Sequence, residues 1–441
     1  MHQTQPRVPL PPPLTSDVPG TWAFDTMSRR VRTDILARIF RENQFQSHVV
    51  LRLQQLDTEL SAAATTPLSL LPHDGGPDII VWNEHILKSF VQQRCTWLSA
   101  PWAVAEFYLY RRIMTAIDYF KTPVDPFQLQ KDLGLTSSID SISALATRVN
   151  QILHNPSIPI TSESTLQHLQ TFVFISLWGN RIDLSLWPVG GADEHTVKAT
   201  GGQRSSQSFA SVLQAGQKMI LSNHMTQLVS YISQLSAPCR FDIIVDNAGF
   251  ELFCDLCLAD FLVCTGIANV VHIQLKAHPT FVSDAMAKDV SATISFLQSI
   301  QSQQGADTSA SILGHRWAKH LSSGKWKLCE HFFWVQPQPM WQMPSDLHAD
   351  LSQSALAFVK GDANYRRLLG DLHWPFSTPF ADVLCYFPSP VCALRTLKAE
   401  LGCGMDPVQT QRAAREDDKW LVAGKYGVVQ FCDTRSSARS Q

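Results

Sequence analysis

The sequence has almost no net charge: 36 Lys and Arg stand against 38 Asp and Glu, a formal balance of -2. That removes the electrostatic ground for expecting nucleic acid or an anionic membrane as partner. No apolar run reaches the roughly 18 residues of a transmembrane helix. The longest, around "FLVCTGIANVVHIQL", carries Asn269 and His272 and reads as core. The amino terminus, "MHQTQPRVPLPPPLTSDVPG", lacks the apolar centre of a signal peptide and reads as a disordered Pro-rich tail over 1–21. Glycine-rich phosphate loops are missing as well, since neither G-x-x-x-x-G-K-[ST] nor G-x-G-x-x-G occurs. Ten cysteines lie mostly in apolar segments, and Cys254-x-x-Cys257 has no second Cys or His pair at zinc spacing. A reduced, intracellular protein is expected, cytoplasmic with the nucleus as a second compartment.

What is present fits a globular chain of two domains, with 45% apolar and 17% charged residues over 441 positions. Residues 22–170 read as mostly helical, "TWAFDTMSRRVRTDILARIFREN" and "PWAVAEFYLYRRIMTAIDYF" both spacing apolar residues by three and four. Between them "LSAAATTPLSLLPHDGGPD" reads as a linker or long loop. Over 171–433 short β-branched and aromatic runs alternate with helical segments: "TFVFISLW", "FDIIVD", "NVVHIQLK", "HFFWVQ", "ALAFVKG" and "DVLCYF". Runs that are apolar throughout suit strands covered on both faces, so an α/β fold with layered helices and a mostly parallel sheet is expected. Two polar stretches, "GGADEHTVKATGGQRSSQS" and "QSQQGADTSAS", read as surface loops, and 434–441 as a flexible tail.

Ligands of open parallel sheets gather at the carboxyl ends of the strands. There "FDIIV" leads to Asp246, Asn247, Glu251 and Asp255, and "VVHIQLK" to His278, Thr280, Ser283 and Asp284. "ALAFV" leads to Lys360, Asp362, Asn364 and Arg366, and "TFVFISLW" to Asn180 and Asp183. After "DVLCYF", the segment "SPVCALRTLKAELG" reads as a helix capped by Ser389 that carries Arg395 and Lys398. Carboxylates and carboxamides are hard oxygen ligands that suit Mg²⁺ or Mn²⁺, with Co²⁺ and Ni²⁺ as further options. Lys and Arg beside them suit a phosphate's remaining charge. Each piece also has a plain reading: Asp-Asn-Ala-Gly is a turn, Glu251 favours a helix dipole, and Asp284 could cap a helix. Repetition of one chemical class at five strand ends is what favours a site.

The motifs "LWGNRIDLS", "DNAGFELFCDL", "HPTFVSDA", "FVKGDANYRRLLGD" and "RTLK" together resemble the metal-dependent damage-control phosphatases. Arg395 to Lys398 looks like the Arg-Thr-x-Lys signature of the subgroup acting on sugar phosphates, whose members have also been called acidic residue methyltransferases. The resemblance implies a three-layer α/β/α sandwich with an N-terminal helical bundle, and a divalent ion at the base of a phosphate pocket. It implies Asp246, Asn247 and Asp284 as metal ligands, with Glu251 an acidic neighbour. Asp362, Asn364, Tyr365 and Arg366 would hold the substrate, Lys398 its phosphate, and Asn180 would add a second pocket amide.

The expected activity is metal-assisted hydrolysis of small phosphomonoesters, sugar phosphates such as fructose 1-phosphate among them. Water would attack in line, or Asp246 would attack directly through an aspartyl-phosphate. The expected partner is therefore a small phosphometabolite, with neither nucleic acid nor membrane. The alternative is methyl transfer from S-adenosylmethionine to protein glutamates, for which no Gly-rich nucleoside loop is visible. A third reading is a metal-binding scaffold without catalysis.

Overall fold

Alternate residues of the apolar run "LAFV" enter opposite cores: Leu356 and Phe358 join one, Ala357 and Val359 the other. A strand buried on both faces needs cover on both, and that need organises the whole computed structural model. The structure describes residues 5–153, 163–179, 216–236, 239–300 and 308–435. Among the described residues seven strands form one sheet: β1 (Ile220–Asn223), β2 (Arg240–Ile244), β3 (Val270–Lys276), β4 (Trp326–His331), β5 (Leu356–Lys360), β6 (Val391–Thr396) and β7 (Gly427–Cys432). Their order is β1-β7-β6-β5-β2-β3-β4, and every pairing is parallel except β6 with β7. Helices Ser47–Ser61 and Trp102–Ala116 belong to the core on one face. Helices Ile139–Leu153, Glu163–Trp178, Phe250–Cys264, Ala287–Ser299 and Ser309–Ser322 belong to the core on the other. The result is an α/β/α sandwich with a mostly parallel sheet. Residues 139–153 and 163–170 thus pack with the layer over the second face instead of with the N-terminal helices.

Several local expectations are corrected. "TFVFISLW" is not a strand but the last turns of the helix Glu163–Trp178. Nearly every side of that stretch is buried, and Phe172 stacks on Phe261 at 4.7 Å, so it shows neither period cleanly. "SPVCALRT" carries good helix-start signals yet forms β6, because a slot between β5 and β7 takes a six-residue, fully buried strand. Arg395 is therefore a strand residue, and Lys398 lies just past the strand. "DVLCYF" closes the short helix Phe380–Leu384, and "HFFWVQ" begins at the end of β4 and continues as a single 3₁₀ turn.

The Pro-rich segment is laid down from residue 5 onward instead of hanging free. Leu14 is buried, its N–H donates to the Asp371 carbonyl at 2.9 Å, and its carbonyl accepts from Trp102 at 2.8 Å. Extended proline-rich backbone suits such strand-like contacts because it has no internal hydrogen bonds to break. The loop "PHDGGPD" is pinned too, by Arg111. This fully buried guanidinium pairs with Asp74 at 2.6 Å and with Asp78 at 2.9 Å. All ten cysteines are free. Among the described residues no helix is long and apolar enough to cross a membrane.

Removing one partner of a buried ion cluster leaves the other charges uncompensated, at a cost of about 3–5 kcal/mol. Arg111→Met is expected to lower unfolding free energy by about that amount, read from urea or thermal unfolding. A loss under about 1 kcal/mol would show that Asp74 and Asp78 find other partners or protonate without penalty.

Candidate active site

Chain order makes the crevice between β2 and β5 a switch point: β3 and β4 are added on one side, then β5 on the other. Asp246 comes after β2 at this place and Gly361 after β5. Gly361 holds φ +82°, and a Cβ there would lie 2.0 Å from Asp246 Oδ2. Only the missing side chain lets the two strand ends close. The segment after β3 then doubles back to meet Asp246. Ala285 N–H donates to the Asp246 carbonyl at 2.8 Å, Ala248 N–H to the Ser283 carbonyl at 2.7 Å, and Asn247 and Asp284 form an antiparallel bridge.

Two buried carboxylates meet here. Asp246 Oδ1 accepts no hydrogen bond, and Asp284 Oδ2 has only the Lys276 ammonium, at 3.2 Å. Asn247 ties the cluster together, its amide donating to Asp246 Oδ2 at 3.0 Å and to Glu251 Oε2 at 2.7 Å. Ser283 Oγ donates in turn to Asn247 Oδ1. Burial, with Asp284 and Glu251 as negative neighbours, pushes the Asp246 carboxyl well above the usual range, against the pull of Lys276 and Lys398. Burial likewise raises Asp284, opposed by the Lys276 ammonium 3.2 Å away. Orphaned buried carboxylate oxygens are costly unless something positive completes them. A divalent cation with oxygen preference fits this all-oxygen donor set.

Two other groups of ligand-type side chains are already neutralised from within. Asp260, beside Cys264 and His320, is paired with Arg316 at 2.6 Å. Asp242 and Asp350, beside His272, both accept from Arg240 at 2.8 Å. An arginine seated on each carboxylate leaves little for a cation to gain, whereas Asp246 Oδ1 has no partner, so the strand end is the better candidate for a metal.

A cavity of about 330 Å³ opens over it, lined by Asp246, Asn247, Ser283, Asp284, Asp362, Ala363, Arg366 and Lys398. Its opposite wall comes from N-terminal helices: Trp22, Thr26, Arg30, Trp102 and Glu106, with Phe281 and Val422. Arg366 is nearly saturated, donating twice to Asp371 and once to Glu106 while stacked 3.5 Å over the Trp102 ring. Its charge faces the cavity, but its fork is largely spent. Among the described residues the Lys398 side chain has no ion-pair partner, whereas its backbone N–H donates to Asp362 Oδ1 at 3.0 Å.

The structure thus brings Asp246, Asn247, Asp284, Asp362, Arg366 and Lys398 to one cavity, with Glu251 one hydrogen bond behind. Four expected substrate contacts sit elsewhere. Arg395 is buried and holds Asp362 at 2.7 Å together with the carbonyls of Ala399 and Leu401. Asn364 is buried under the strand ends, donating to the Val245 and Lys360 carbonyls and accepting from Lys276 at 2.9 Å. Tyr365 donates its hydroxyl to Gln430 at 2.6 Å. Lys360 lies beneath the cavity, 3.2 Å from Asp255 and 3.7 Å from Glu251. Their chemical class was visible in sequence, but each is consumed by an internal partner. Asn180 lies outside the described residues.

Residues 24–413 match the damage-control phosphatase ARMT1-like domain. The chain belongs to the damage-control phosphatase family. A protein of Bos taurus named damage-control phosphatase ARMT1 is 36% identical over 373 residues, covering 80% of each chain. Its namesake in Homo sapiens is 35% identical over 378 residues, again 80% of each chain. The one in Mus musculus is 32% identical over 454 residues, 95% of this chain and 98% of its own.

In this damage-control phosphatase the residues that sequence reading missed are instructive. Lys276 was read as the tail of β3, yet it is buried between Asp284 and Asn364. A lysine closing an otherwise apolar strand next to a carboxylate turn was the available signal. Trp22, Thr26 and Arg30 recur every four residues on one helical stretch, a spacing that by itself looks like any amphipathic face.

The close packing at Gly361 makes the site sensitive to a single methyl. Gly361→Ala drives that methyl into Asp246, and misplacement on the order of 1 Å costs about 10²-fold in rate. Phosphate release per folded molecule should fall by at least that factor, and near-normal turnover would exclude the close approach as a constraint. A cation must also displace the proton that burial favours on Asp246, so Mn²⁺ affinity should rise with pH and binding should release protons. The metal-free protein should show the opposite trend in stability. Its folded state binds more protons than the unfolded chain above about pH 4, so this contribution to stability is lost as pH rises through Asp246's elevated pKa. Calorimetric Mn²⁺ titration in buffers of different ionisation enthalpy reads the first, and thermal unfolding against pH reads the second.

Proposed function

We propose that this damage-control phosphatase hydrolyses small phosphomonoesters, sugar phosphates foremost, using a divalent cation held by Asp246, Asp284 and Asn247. The observation that carries the reading is the pair of buried aspartates, Asp246 with an oxygen that accepts nothing and Asp284 answered only by Lys276, at the floor of a cavity with the Lys398 ammonium in its wall. When bound, Mg²⁺ or Mn²⁺, or Co²⁺ or Ni²⁺, would polarise a phosphate oxygen and offset the carboxylates' charge. Lys398 would accept the phosphate's developing negative charge, and Arg366 would add field from the wall. Asp246, itself held by the Asn247 amide that Glu251 anchors from behind, would orient the attacking water. Direct attack by Asp246 is the variant that trapped phosphoenzyme would reveal.

The rest of the cavity suits a polyol. Glu106 and Asp362 supply carboxylate oxygens able to accept from hydroxyls, and Trp22 and Trp102 supply flat apolar faces. Fructose 1-phosphate is one compound of this class. The methyl-transfer alternative finds no support: the relatives are named phosphatases, and the loop after β2 is Asp-Asn-Ala-Gly rather than Gly-rich. The setting we infer for such substrates is the cytoplasm, with the nucleus as a second compartment.

The decisive assay is phosphate release from a sugar phosphate panel with Mn²⁺, with Mg²⁺ and with chelator. Release should require metal and vanish in Asp246→Ala. Lys398→Met should lose about 10²–10³ in kcat, as expected for one oxyanion donor. Absence of release from metal-loaded wild type would reduce the protein to a metal-binding scaffold.

A further inference from the structure

The turn that delivers Asp284 is held in an unfavourable shape. Among the described residues only five other than glycine have positive φ, and two of them, Phe281 at 44° and Val282 at 68°, are adjacent. A β-branched residue in this region is an outlier. The Ser283 N–H donates to the Phe281 carbonyl at 2.8 Å, closing a three-residue turn across Val282, a tight form that is rare and strained at positive φ. Such shapes persist only where surrounding structure over-determines them. Here the surroundings are aromatic: the Phe281 ring lies 4.7 Å from Phe107 and 4.8 Å from Tyr110, both on the helix Trp102–Ala116.

We propose that Phe281 is a positioning residue for the metal site, its ring clamped by the N-terminal helix so that the strained turn carries Ser283 and Asp284 to Asn247 and Asp246. The inference rests on the reading that Asp246 and Asp284 bind the cation. Val282, left alone, favours an extended backbone that would draw Asp284 out of its bridge with Asn247. The clamp opposes that relaxation, so the first layer of helices sets metal affinity through a contact that touches no metal. Relief of the strain at Val282 should then substitute for the clamp.

The test is Mn²⁺ binding to the metal-stripped full chain, read by electron paramagnetic resonance of the free ion, alongside the melting temperature without metal. Phe281→Ala should weaken binding about tenfold or more, equal to about 1.4 kcal/mol. Phe281→Tyr, which keeps the ring, should bind as wild type does. Adding Val282→Gly to Phe281→Ala should recover most of the lost affinity, because glycine adopts positive φ without penalty. Should Phe281→Ala fail to fold, Phe281→Leu with and without Val282→Gly makes the same comparison. Wild-type affinity in the folded single variant, or loss that Val282→Gly leaves untouched, overturns the proposal by making Phe281 a packing residue only. Mn²⁺ binding that survives Asp246→Ala unchanged instead overturns the metal-site reading itself, and the proposal with it.

Discussion

Two buried aspartates, one with an oxygen that accepts nothing and one answered only by a lysine, sit at the bottom of a crevice, and much of the molecule can be read as the means of keeping them there. Like charges in low dielectric repel and lose their water, so the fold has to oppose both effects. It does so with three lysines arranged at different depths. Lys276 stands beside Asp284, Lys360 beneath Glu251 and Asp255, and Lys398 in the cavity wall. The second tier is itself finely balanced, for burial pushes Asp255 up to about 7 even with Lys360 adjacent. A floor built this way is close to neutral without a cation and keeps Asp246 Oδ1 without a partner.

The backbone supports the same end. Parallel strands β2 and β5 bring two turns side by side, and the doubled-back segment after β3 inserts a third between them and the helices. Asn364 then stitches the carboxyl end of β2 to that of β5 while steering Lys276. Polar side chains that looked like substrate contacts turn out to fasten the frame on which the contacts hang. This division between pocket and frame is common where geometry must be held within fractions of an ångström.

Most of the frame was legible because apolar strands and their terminal carboxylates are local signals. β2, β3 and β5 could be read from their runs, and Asp246, Asn247, Asp284 and Asp362 from their places just beyond the strand ends. Two classes of information were not local. The second half of helix Glu163–Trp178 and strand β6 are buried on nearly every side, so burial erased the periodicity that separates helix from strand. Arg395, Tyr365 and Lys360 announced a charge or hydroxyl at a strand end. Whether an internal partner folds onto such a group depends on residues far away in sequence, as with Arg366 and Glu106, 260 positions apart.

The cavity draws its two walls from different parts of the chain. Groups suited to phosphate chemistry stand on strand ends locked by Gly361 and Asn364, while Trp22, Thr26 and Arg30 occupy successive turns near the amino terminus. Changes on that helical face can reshape what the pocket accepts without moving a single carboxylate on the floor. Substrate range and reaction are therefore separable traits in this architecture: one can drift by surface substitution while the other stays fixed by the sheet.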